Sequence, residues 1–171
     1  MCMEKIVLNF WELVNKIPFL PLVISKINEA NIKYWLYSGS YVSLIRPNRV
    51  VNDIDILVAY EDILKLKEIF PFAETKDYWD CILLYIGKNN EIEFMSYPSI
   101  NINNSKYYLC LTQICWENII KIKYKKLTVN ILNPVDTILQ KAFLQRWKEQ
   151  WKYDLEDISI IIQKNIIDEE Y

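Results

Sequence analysis

Tyr34-Trp35-Leu36-Tyr37-Ser38-Gly39-Ser40 runs, after twelve intervening residues, into Asp53-Ile54-Asp55-Ile56-Leu57-Val58. The pattern predicts a strand over Lys33 to Ser38, a turn at Gly39-Ser40, a short helix over Tyr41 to Ile45 ended by Pro47, and a second strand over Asp53 to Val58. Gly39 is one of two glycines in 171 residues. So sparing a use places it where φ must be positive or where backbone must approach a ligand closely. Residues i and i+2 of a strand share a face, so Asp53 and Asp55 project together while Ile54 and Ile56 enter the core. Two carboxylates about 6.6 Å apart repel by about 2.5 kcal/mol at an effective dielectric of about 20. Something cationic should compensate them, and a divalent metal would also account for the glycine-serine turn. The competing reading is an edge-strand pair solvated or matched by Arg46 and Arg49.

Outward from this centre, residues 4–16 and 20–30 read as helices punctuated by Pro18 and Pro21. Residues 60–70 form a helix with Ile63, Leu64, Leu66 and Ile69 on one side, stopped by Pro71. Asp80 to Ile86 and Glu91 to Met95 are strands joined through Gly87-Lys88-Asn89-Asn90, and Lys106 to Cys110 is a further short strand. Ile119 to Tyr124 and Leu127 to Leu132 make a hairpin around Lys125-Lys126. Asn133-Pro134 with Asp136 opens a helical end, with helices near 134–148 and 153–164. Trp147 and Trp151 are read as one packing face. The organisation is one domain over 1–171: N-terminal helices (1–32), a mixed sheet core (33–132) and C-terminal helices (133–171). The fold class is α+β, a mixed sheet packed against helices.

Composition excludes several chemistries. The chain has no histidine, which removes Ser-His-Asp, Cys-His and histidine general-base mechanisms. Cys2, Cys81, Cys110 and Cys115 show no CxxC spacing, so a zinc site is not expected either. Acid-base chemistry must therefore run on carboxylates, lysines, tyrosines or metal-bound water. The formal net charge of -2 gives no global cationic field for nucleic acid, although Lys121, Lys123, Lys125 and Lys126 form a local basic strip. Met1 to Lys5 does not read as a signal peptide, and no apolar run reaches the roughly 20 residues of a membrane span. A cytoplasmic protein without a membrane partner is expected.

The order of strand, Gly-Ser turn, short helix, Asp-x-Asp strand and a later acidic strand resembles the polymerase-beta-type nucleotidyltransferase superfamily. Gly39, Ser40, Asp53, Asp55 and an acid in Glu91-Ile92-Glu93-Phe94-Met95 carry the resemblance, over residues 33 to about 95. It implies the nucleotidyltransferase fold and transfer of a nucleoside monophosphate from an NTP to a hydroxyl of RNA, protein or a small molecule. Asp53, Asp55 and a third carboxylate would hold two Mg²⁺, with Mn²⁺ the alternative ion, and the third would accept the proton of the attacking hydroxyl. Glu93 is favoured because Ile92 and Phe94 flank it as Ile54 and Ile56 flank Asp55; Glu91 shares its face and is the alternative. Gly39 and Ser40 would cradle phosphates.

A second resemblance covers Leu132-Asn133-Pro134-Val135-Asp136, Lys141 and Lys152-Tyr153-Asp154-Leu155-Glu156-Asp157-Ile158. This is similar to the tail of abortive-infection-type nucleotidyltransferases, a group that includes toxins of toxin–antitoxin pairs. It implies that Lys141 reaches nucleotide phosphates while Asp154 and Asp157 orient the helix pair, and that an antitoxin or a second copy is a partner. The departure is Tyr153, which separates the base from Asp154. For each of these three residues the plain alternative is an ordinary helix-surface charge. The competing function class is a catalytically inactive binding or regulatory module on the same fold.

Overall fold

The computed structural model describes residues 3–46, 52–78, 81–89, 91–96, 99–102, 105–108, 119–144 and 148–164. Helices α1 (Met3–Lys16) and α2 (Leu20–Glu29) lead into β1 (Tyr34–Leu36), α3 (Ser38–Ile45) and β2 (Ile54–Val58). A single 3-10 turn (Tyr60–Asp62) precedes α4 (Ile63–Ile69). The strands β3 (Glu74–Tyr78), β4 (Cys81–Ile86), β5 (Ile92–Met95), β6 (Ser99–Ile102), β7 (Ser105–Tyr108), β8 (Ile120–Tyr124) and β9 (Leu127–Ile131) follow. Helices α5 (Pro134–Leu144) and α6 (Lys148–Lys164) close the described chain.

Seven strands form one mixed sheet in the order β3-β4-β5-β2-β1-β9-β8, and β6 pairs with β7 separately. The β2–β5 and β1–β9 pairs are parallel, and the other pairs are antiparallel. Period-two alternation divides the sheet into two unlike faces. Tyr34, Leu36, Ile54, Ile56, Ile92 and Phe94 join Phe10 and Leu13 of α1, Ile24 and Ile27 of α2, and Leu66 of α4 in the main core. The opposite face carries only a small cluster of Trp35, Tyr37, Leu57 and Leu132, with Met95 against it.

Local chemistry explains the helix ends that position the site. Helix α2 buries Leu20, Val23, Ile24 and Ile27, the i, i+3, i+4, i+7 stripe of an amphipathic helix. Beyond its last turn Asn31 takes φ 54, and Ile32 N–H donates to Ile27 O at 3.0 Å. That left-handed exit turns the chain sharply into β1. At α5, Asn133 Oδ1 accepts the Asp136 N–H at 2.9 Å, so the expected helix start is capped by the asparagine before the proline.

The structure also corrects several expectations. Asp53 lies just before β2, which begins at Ile54. Leu64 is exposed, and the buried positions of α4 are Ile63 and Leu66. Strands β3 and β6 were not anticipated. Residues Glu74-Thr75-Lys76-Asp77-Tyr78 show no apolar alternation because β3 is a sheet edge with β4 as its partner. Trp147, Cys110 and Arg49 fall outside the described residues.

Candidate active site

Helix α3 begins at the end of β1, and it is Ser38, at φ 51, that takes the left-handed conformation there. Gly39 itself does not take a positive φ. A Cβ built on it would stand 3.5 Å from Asp55 Oδ2, an ordinary van der Waals distance, so the bend lies beside the Asp-x-Asp carboxylate. Ser40 is fully buried, and its hydroxyl accepts the Asp55 N–H at 2.7 Å. Tyr37 N–H donates to Asp55 O at 3.2 Å. Two bonds therefore tie the start of α3 to the backbone of one aspartate.

Register then brings the acids together. Asp55 on β2 is the direct partner of Glu93 on β5, and adjacent strands lie about 4.8 Å apart. Glu93 in turn faces Tyr85 on β4, and Tyr85 faces Glu74 on β3. The result is a row Glu74–Tyr85–Glu93–Asp55 across four strands, continued by Tyr37 just after β1, on the face that the main core leaves open. One register step along lies an apolar row, Leu83–Met95–Leu57–Trp35, with Tyr37 Oη donating to Met95 Sδ at 3.4 Å.

The electrostatics follow from this crowding. Burial pushes the Glu93 carboxyl above its ordinary value, and the charge of Asp53 pushes it further; the Tyr85 hydrogen bond and Lys76 pull the other way. The Tyr85 phenol is raised by its burial and by the Glu93 charge it bonds to. Lys76 Nζ sits 4.8 Å from the centre of the Tyr85 ring, which brings a cation to the rim of the acidic row. Tyr85 and Lys76 are the members of this site that sequence reading missed.

The other candidates are placed as follows. Glu91, the alternative to Glu93, turns its carboxylate back into the β4–β5 bend, where Oε2 accepts the Asn89 N–H at 3.0 Å. Arg46, the counter-charge expected under the edge-strand reading, pairs with Glu156 at 2.7 Å. Lys141 is 1% exposed and its ammonium is bracketed by Asp154 Oδ1 at 3.0 Å and Asp157 Oδ2 at 2.9 Å, between α5 and α6. Both helices pack on α3, so this triad supports the helix whose start carries Gly39. Among the described residues no group of three or more His, Cys, Asp or Glu side chains is placed to hold a metal ion. Nor is any helix among them long and apolar enough to cross a membrane.

At the level of sequence, no protein-family model and no curated protein matches this chain. Solved structures do. The crystal structure of ANT(2")-Ia in complex with adenylyl-2"-tobramycin superposes with a TM-score of 0.60 over 87% of this chain and 88% of that one, at 14% identity. The solution structure of the same antibiotic-resistance factor gives 0.59 over 88% and 84%, also at 14% identity. The lincosamide antibiotic adenylyltransferase LnuA, with lincomycin bound, gives 0.54 over 83% and 95% at 15% identity. The chain has the nucleotidyltransferase fold. The α+β architecture expected from the sequence is thereby established.

Proposed function

We propose that this protein is a metal-dependent nucleotidyltransferase, transferring a nucleoside monophosphate from an NTP to a hydroxyl acceptor and releasing pyrophosphate. One observation carries the reading: Asp55 stands in register with Glu93 while its carboxylate lies beside Gly39 at the start of a helix. Acids and an anion-accepting helix start share one place, which a solvated surface pair would not require.

The donor set suits Mg²⁺, with Mn²⁺ as the alternative. Hard carboxylate oxygens are its preferred protein ligands, and it usually takes only one or two of them, keeping waters and substrate phosphates for the rest. A closed protein cage is therefore not demanded. Asp53, Asp55 and Glu93 would hold the two ions, whose chemistry when bound is to neutralise phosphate charge and lower the pKa of the attacking oxygen. The N–H groups at the start of α3, next to Gly39, face phosphate oxygens. Ser40 fixes Asp55 through the backbone. Glu93 takes the proton from the acceptor hydroxyl as that oxygen bonds to the α-phosphorus and the bond to the β-phosphate oxygen breaks. Lys141 reaches phosphate only by leaving its aspartate clamp, so in the described arrangement its part is to hold α5 and α6 beneath α3.

The structural neighbours, bound to adenylylated tobramycin and to lincomycin, support a small-molecule acceptor. An RNA acceptor draws on exposed Lys121, Lys123, Lys125 and Lys126 at the β8–β9 hairpin, and a protein hydroxyl is the third class. A toxin role in the cytoplasm, with an antitoxin or a second copy as partner, rests on the Lys141–Asp154–Asp157 pattern. The second reading, an inactive module on this fold, is favoured by the lack of a ready three-ligand group among the described residues. Labelled NTPs with Mg²⁺, total RNA and small-molecule hydroxyl compounds separate the two. Transfer that stops with a chelator and in Asp55→Asn supports the enzyme. The absence of both transfer and any thermal shift with NTP and Mg²⁺ supports the module, since ligand at 100 times Kd should add about 2.7 kcal/mol.

A further inference from the structure

A cavity of about 590 Å³ opens at the β3–β4 edge of the sheet, beside α2 and the Gly87 bend. Its inner wall is Val23, Phe70 and Ile86, all buried. Its mouth is apolar too: Leu22 is 60% and Phe72 71% exposed there. A volume in the range of a few hundred cubic ångströms, apolar walls and few polar groups are the attributes of a small-molecule pocket.

The polar groups at this cavity are unbalanced. Lys26 and Lys88 line it, and Lys26 Nζ is poised 5.7 Å from the centre of the Phe70 ring. The acid in the lining, Glu74, is already offset by Lys76 at 3.6 Å. Tyr85 is also a lining residue, and its phenol is committed to Glu93 on the acidic row. The bend beneath Lys88 requires its glycine: Gly87 takes φ 105, and a side chain there would collide with Glu91. An apolar body seated in this cavity meets two lysines, Lys26 and Lys88, the second on the bend that also holds the Glu91 carboxylate.

We propose that this cavity binds a small organic molecule with an aromatic or acyl body and an acidic group, the body against Phe70 and Phe72 and the acid at Lys26 and Lys88. The site stands independently of nucleotidyl transfer. It has Tyr85 as a residue in common with the acidic row.

The test is a fluorescence titration of the full chain with two matched probes, 8-anilinonaphthalene-1-sulfonate and the neutral N-phenyl-1-naphthylamine. The sulfonate is expected to saturate one site and to bind about five-fold tighter than the neutral probe, the scale of an exposed charge pair. Lys26→Glu/Lys88→Glu should erase that preference while leaving the neutral probe's affinity unchanged, and Leu22→Glu should weaken both. Asp55→Asn should leave both probes unaffected, so a failed transfer assay and a failed pocket are told apart. Equal affinities, absence of saturation, or a preference that survives the double substitution would overturn the proposal. Sedimentation showing that the probe signal is lost as the chain self-associates would assign the cavity to a second copy instead, and overturn it equally.

Discussion

Two groups of three titratable side chains lie on either side of α3, and they have opposite characters. On the C-terminal side Lys141 is buried between Asp154 and Asp157, with both ion pairs at 3.0 Å or less. On the sheet side Asp53, Asp55 and Glu93 are all half-buried acids, and Asp53 raises the proton affinity of Glu93. In the first group opposite charges satisfy one another away from water, so the arrangement holds helices together. In the second, acids are gathered beside a helix start, and burial first, then the Asp53 charge, raise the proton affinity of Glu93. Aspartates face a buried cation in one place and a further acid in the other.

The comparison breaks or sharpens most decisively at Lys141. Lys141→Met would leave two buried aspartates uncompensated and should cost about 3–5 kcal/mol in urea unfolding. Replacing all three residues with apolar ones of similar volume should restore most of that loss. Wild-type stability in Lys141→Met would show that the triad does not hold the helices. Next in size, Asp55→Asn should lower nucleotidyl transfer about 10²–10³-fold, the scale at which charge stabilisation in a site is lost, while its melting temperature stays level or rises. Ser40→Ala removes the acceptor of a part-buried Asp55 N–H and should cost about 1–3 kcal/mol by the same unfolding assay. By contrast Arg46→Ala breaks a pair whose side chains are 42% and 53% exposed, and should change stability by less than about 1 kcal/mol.

For Glu93→Gln the sign matters more than the size. Folding raises the proton affinity of this carboxyl. Its stabilising contribution is therefore complete below the unfolded-state value and is lost as pH rises through the folded-state value. The glutamine variant should accordingly melt higher than wild type at neutral pH, with the gain shrinking as the solution is acidified through the ordinary carboxylate range. A gain that grew on acidification would reverse the reading of the acidic row. Transfer should fall in the same variant at every pH, since the amide cannot accept the proton.

Much of the fold was legible because its signals are local. The β8–β9 hairpin, the α2 stripe and the proline-opened α5 each follow from spacing within a few residues. Leu64 was misassigned because α4 is only seven residues long and offers the core a stripe narrower than its apolar content. Strand β3 was invisible because an edge needs no apolar alternation. Tyr85 was within reach: its pairing with Glu93 follows once the bend between β4 and β5 is counted as the five residues from Gly87 to Glu91. Gly39 was recognised as special, yet the positive φ fell on Ser38, its neighbour.

From residue types alone it was settled that histidine chemistry is excluded, that Asp55 sits in a strand between core residues Ile54 and Ile56, and that a rare glycine marks the bend before it. Those are properties of composition and of a two-residue side-chain period, which hold wherever the strand is placed. Tertiary structure decided that Glu93 stands beside Asp55 while Glu91 turns into the bend, and that Lys141 is enclosed by Asp154 and Asp157. Strand neighbours and helix contacts are chosen by burial summed over the whole chain, and no local pattern carries that sum.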